Sequence, residues 1–146
     1  SDYLLVAECD KVDSKQIKSA SRSLEDLVAE IDSTFAESLF KYIDDKGLTD
    51  PEVYKRANLD RKLFSKIRKN KNYKPSKNTA LALAVALELN LDETKDFIGK
   101  AGYALTHSSK MDIIVEFFIL QGNYDILELN EVLFYYEEPL LGSNVA

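Results

Sequence analysis

Cap residues punctuate this chain at short intervals, and that punctuation limits what it can fold into. Thr49, Asp60, Ser76, Asn90, Ser109 and Asp125 each stand ahead of a run whose apolar residues recur at helical spacing. Glu52 follows Thr49 by three residues, as Glu93 follows Asn90 and Glu128 follows Asp125. At that spacing two side chains can satisfy backbone N–H groups at a helix start. Stop signals complete the pattern. Gly47 and Asn58 suit the left-handed conformation in which helices end, and Gly102 and Gly122 stop the helices before them. A chain divided this way predicts an all-α fold built from short helices.

The first predicted helix is the longest. Ser23 caps it, Glu25 and Asp26 suit its positive end, and an apolar stripe runs from Leu24 through Ile31, Phe35 and Leu39 to Ile43 before Gly47 stops it. Two short helices follow across Asn58. Pro51 is tolerated in the first turn of the first, and Leu63, Phe64 and Ile67 form the apolar side of the second. Pro75 disfavours helix at Lys74, so 71–75 reads as a basic loop. The Ala- and Leu-rich run after Ser76 is the expected central buried helix, because small alanines let neighbours approach. Lys110 to Leu120 is apolar nearly all round and should be buried on most sides. A last helix, with Tyr124 and Leu129 at hydrophobic-staple positions, should be closed by Pro139. Residues 1–22, with a short apolar run at Tyr3 to Ala7 that could be a strand, read as a linker or the tail of an upstream domain. The chain thus divides into 1–22, a core over 23–103, and an acidic, aromatic helical pair over 104–146.

Charge is unevenly spread. From Thr49 to Lys77 there are ten Lys/Arg and three Asp/Glu, a net +7, so an overall −6 leaves −13 on the rest. From Met111 onward there is no Lys or Arg and there are seven Asp/Glu. An overall −6 argues against a nucleic-acid binder, but the local field acts within a Debye length of about 8 Å and decides whether phosphate is attracted. No run is long enough to span a membrane. Cys9 has no second cysteine, which leaves no internal disulfide and makes a reducing cytoplasm the default. It also has no histidine partner for zinc or thiol chemistry. His107 stands between Thr106 and Ser108 without a third group, and the five glycines are scattered as helix stops rather than gathered as a phosphate loop. The paired carboxylates Asp44-Asp45 and Glu137-Glu138 read as solvated. No catalytic residue, metal or cofactor is expected, and the chain is not expected to be an enzyme.

The segment 49–70 resembles the helix-turn-helix of lambda-repressor-like domains of the Cro/repressor, xenobiotic-response-element type. Leu59 matches the apolar residue after the turn, Asp60 the cap, and Phe64 and Ile67 the apolar residues of the second helix. Tyr54 stands where the family has a small residue, and Asn58 where it has glycine. PSKNTALALAVALELNLDET is similar to the fourth and fifth helices of the same family, so the resemblance runs from about Phe35 to Gly102. It implies a five-helix core, here with an N-terminal helical extension and two additional C-terminal helices. The arrangement is also similar to C-terminal regulatory segments of bacterial multidomain proteins, some fused to macro (ADP-ribose-binding) domains, although no macro-domain residue can be matched.

The resemblance implies sequence-specific binding to double-stranded DNA and a role in transcription regulation. Arg61, Lys62, Ser65 and Lys66 would meet base edges in the major groove. Thr49, Lys69, Lys71, Lys74 and Lys77 would meet phosphates, although Asp50 beside Thr49 would repel them. A homodimer through the C-terminal helices would suit two half-sites. The alternative is a protein-interaction or regulatory domain on the same scaffold without DNA binding. In that case the acidic C-terminal region could act as an electrostatic gate over the basic face.

Overall fold

A computed structural model describes residues 23–142. The readings of 1–22, including the Tyr3–Ala7 run and Cys9, lie outside these residues. The chain divides into two units, Ser1–Asp32 and Ser33–Ala146. Among the described residues all regular structure is α-helical. No helix among them is long and apolar enough to cross a membrane.

The first unit contributes α1 (Leu24–Ala29), capped by Ser23 as expected, with no buried residue. The long helix expected from Ser23 to Gly47 is interrupted. α1 ends at Glu30, and α2 (Phe35–Asp45) starts afresh from Thr34. The cause is a capping box. The Thr34 hydroxyl accepts from Glu37 N–H at 3.2 Å, and Glu37 Oε1 accepts from Thr34 N–H at 2.9 Å. A start signal this complete overrides the continuing apolar stripe.

The second unit is a bundle of α2, α3 (Asp50–Arg56), α4 (Arg61–Lys69), α5 (Lys77–Ala86), α6 (Leu91–Gly99), α7 (Lys110–Leu120) and α8 (Ile126–Tyr135). The expected caps are in place at Thr49, Asp60, Ser76, Asn90, Ser109 and Asp125. α5 is the centre, with every residue from Thr79 to Ala86 buried. Its alanines let α3, α6 and α8 pack against it. α2 packs on α6, where the Phe35 and Phe97 ring centroids lie 4.3 Å apart.

Two C-terminal expectations are corrected. α8 stops at Tyr135, ahead of Pro139, because Glu137 takes a left-handed φ of 60° and the Glu138 N–H bonds back to the Leu133 carbonyl. α7 lies at the bundle edge and packs chiefly on α6 and α8. Those neighbours cover one side, with Ile114, Val115, Phe118 and Ile119, and leave Ile113, Phe117 and Leu120 exposed.

Beyond α8, residues 140–142 cross back over the bundle and are clasped by three asparagines from separate elements. Asn130 of α8 accepts from Leu141 N–H at 2.7 Å and donates to Leu141 O at 3.1 Å. Asn58 donates to the same carbonyl at 3.2 Å, and Asn78 of α5 bonds both the Leu140 carbonyl and the Gly142 N–H. The Leu141 side chain is fully buried. Gly142 has a φ of 97°, and a Cβ there would stand 2.5 Å from the Asn58 carbonyl oxygen. Only glycine allows that approach.

Candidate nucleic-acid interface

α3 and α4 join through Ala57–Asp60, with Asn58 at a left-handed φ of 58° as its residue type suggested. Leu59 next to it is buried. The Leu59 N–H bonds to the Tyr54 carbonyl and the Asn58 N–H to the Lys55 carbonyl, so α3's last carbonyls are satisfied within the turn. Tyr54 does not separate the helices. Its ring stays half-buried, tilted on Phe64 with centroids 5.7 Å apart. Phe64 and Ile67 are buried, which turns the opposite side of α4 outward.

That outward side carries the expected base-reading residues. Arg61, Lys62, Ser65, Lys66 and Lys69 are all exposed and line one open groove. Among the described residues none of these four cations lies within ion-pair distance of a carboxylate. Asp60 is occupied as the α4 cap, accepting from Leu63 N–H at 2.8 Å. Among the described residues, those of the acidic C-terminal pair leave the ridge open to solvent.

The expected phosphate-contacting residues divide. Lys69 belongs to the groove and Lys71 is exposed in the loop beyond it. Lys74 is exposed but leans over the Tyr103 ring, its Nζ 5.5 Å from the centroid. Lys77 is engaged by a carboxylate. Its Nζ sits 2.7 Å from Oδ2 of the buried Asp112. Asp112 Oδ2 also accepts from Thr106 N–H at 2.9 Å, so Lys77 neutralises an internal carboxylate. Thr49 is occupied too. Its hydroxyl accepts from Glu52 N–H and donates to Glu52 Oε1, which also accepts from Thr49 N–H. Those bonds, the backbone one first, hold the Glu52 carboxyl below its ordinary pKa.

Sequence reasoning missed one pairing at this site. Arg68 grips Asp50 with two hydrogen bonds of 2.8 and 2.9 Å, and its guanidinium stacks 3.9 Å from the centre of the Phe40 ring. Asp50 therefore does not present a bare negative charge at the start of α3. Its partner lies eighteen residues away, beyond the reach of any local spacing rule.

His107 is exposed, with Nε2 3.4 Å from both oxygens of Glu116. Among the described residues no group of three or more His, Cys, Asp and Glu could hold a metal ion. No protein family, curated protein or solved structure gives a significant match to the chain.

Proposed function

We propose that this chain is a DNA-binding module of the helix-turn-helix class, with α3 and α4 as its two-helix unit and α4 as the reading helix. Within that class, the repressor-like arrangement named from the sequence is the best fit, with the C-terminal hairpin added to it. The observation that carries the reading is the row of unpaired cations along α4. Arg61, Lys62, Lys66 and Lys69 share one groove with the Ser65 hydroxyl, while nearby Arg68 and Lys77 are engaged by carboxylates. Arg and Lys there suit guanine O6 and N7, and Ser65 suits several base edges. Lys69 and Lys71, with Lys74 further out, suit phosphates. The reading entails a role in transcription regulation, in the cytoplasm or as part of a larger regulatory protein.

Fluorescence anisotropy with labelled random-sequence duplex at two salt concentrations tests it. Binding should weaken steeply with salt, Lys66→Ala/Lys69→Ala should lower the affinity, and loss of the Lys69 phosphate contact should reduce the slope of log K against log salt by about 0.9. Absence of duplex binding by the unaltered chain, or an unchanged affinity in the double variant, overturns the reading. The second reading is a protein-interaction domain without DNA binding. The apolar surface left bare on α7 and α8 favours it, and it is adopted if duplex binding is absent.

A further inference from the structure

We propose that the outer face of α7 is a docking groove for a cationic amphipathic helix of a partner protein. Ile113, Phe117 and Leu120 recur at intervals of four and three, so they form one stripe along α7 opposite its buried side. The stripe is the floor of an open groove that also holds Glu116 and His107. Phe117 is 58% exposed and Leu120 62%. On α8, Leu127 and Phe134 are exposed with Glu131 between them at the same kind of spacing. Large apolar residues aligned along a helix, rather than scattered singly, mark a surface that is covered in use.

Charge selects the occupant. Between Met111 and Gly142 there is no Lys or Arg, while Glu116 stands in the groove and Glu128, Glu131, Glu137 and Glu138 follow on and after α8. A second copy meeting this face with its own would set the carboxylates of α7 and α8 against carboxylates, with Lys110 at the start of α7 as the one Lys or Arg of the hairpin to offset them. A helix with an apolar stripe and flanking Lys or Arg satisfies both features at once. Its stripe lies along Ile113, Phe117 and Leu120, and its ammonium or guanidinium groups reach the partly buried Glu116, whose oxygens, among the described residues, face an exposed imidazole at 3.4 Å. The surface is separate from the α4 groove, so it stands whether or not the chain binds DNA.

The test uses the whole chain and a labelled synthetic peptide of Leu and Lys, about eighteen residues long so that it can be helical, with its leucines on one stripe. Two comparison peptides are a scrambled one of equal composition and one with Glu in place of Lys. The striped Lys peptide should bind at least about tenfold tighter than either, and Phe117→Ser should lower its affinity about tenfold, as loss of an aromatic anchor does. Lys66→Ala on the other surface should leave it unchanged. Because Phe117 is exposed, Phe117→Ser should melt with the unaltered chain; if it does not fold, Leu120→Ser replaces it. The proposal is overturned if the scrambled peptide binds as tightly, if neither serine variant weakens binding, or if the free chain is a dimer that Phe117→Ser dissociates. The last result would make a second copy the occupant.

Discussion

Asn130 is the residue on which the C-terminal clasp turns, and its loss should be costly out of proportion to its size. Its amide makes two hydrogen bonds to one residue, accepting from Leu141 N–H at 2.7 Å and donating to Leu141 O at 3.1 Å, in a buried site. In Asn130→Ala the Leu141 carbonyl keeps a donor, the Asn58 amide at 3.2 Å. The Leu141 N–H, in a fully buried residue, keeps no protein acceptor. One orphaned buried donor plus one lost net hydrogen bond amounts to about 2–3 kcal/mol. For a unit of this size that is a fall in Tm of about 6–15 °C. Asn130→Asp separates the two bonds. It retains the acceptor for Leu141 N–H but sets a carboxylate oxygen against the Leu141 carbonyl. Burial raises the folded-state pKa of such a carboxyl, so the variant should lose stability as pH rises and recover on acidification, when the protonated acid can donate. Thermal melts followed by circular dichroism at neutral and mildly acid pH measure both effects. An Asn130→Ala melt within a degree or two of the unaltered chain, or an Asn130→Asp variant insensitive to pH, would refute the reasoning.

Three further outcomes follow from the same geometry. Lys77→Met leaves the carboxylate of Asp112 buried with the Thr106 N–H and no cation; because Lys77 is itself a third exposed, the loss should sit near about 2–4 kcal/mol in urea unfolding. Lys77→Met/Asp112→Asn should recover much of it, since the amide keeps an acceptor for Thr106 without the charge. Gly142→Ala should cost about 1–3 kcal/mol from the left-handed backbone alone, with the clash against Asn58 added, read as faster proteolysis of the C-terminus. The lowered Glu52 pKa means that its contribution to the start of α3 is fully present above the ordinary carboxylate range and fades as pH falls through its folded-state value. The Thr49 amide resonance should report that titration by NMR, and Glu52→Gln should abolish it.

What was legible in the sequence was local. The caps from Thr49 to Asp125 are contacts over two or three residues, written in adjacent letters. The buried centre at α5 was equally plain, because a run of Ala and Leu after Ser76 has few other uses. The break between α1 and α2 was also written, as Thr34 and Glu37, but the continuing stripe from Ile31 to Phe35 hid it. The outer face of α7 was not legible, because apolar content tells how much a helix could bury and not how many neighbours it has. The exposed ridge of α4 was readable from Phe64 and Ile67, which fix the opposite side. The fates of Lys77, Arg68 and Asn130 were not readable. Each is decided by a partner 11 to 35 residues away, and such contacts exist only after the helices have packed.

The same distinction explains why the ten cations between Thr49 and Lys77 are not ten equivalent free charges. Arg68 closes α4 onto the start of α3, and Lys77 closes α5 onto the start of α7. Both spend their charge on joints between helices, and the first of them ties α4 to α3. The clasp adds a third joint, from the turn at Asn58 through Leu141 to Asn130 on α8. It therefore connects the helix pair that presents the basic ridge to the hairpin that presents the apolar stripe. A connection transmits a binding event only if it has two arrangements that a ligand can distinguish. In the clasp the Leu141 N–H and carbonyl are both satisfied, and Gly142 has no room to shift toward Asn58. A joint so fully bonded behaves as a rigid tie, which is the physical reason to treat the two surfaces as independent sites on one body.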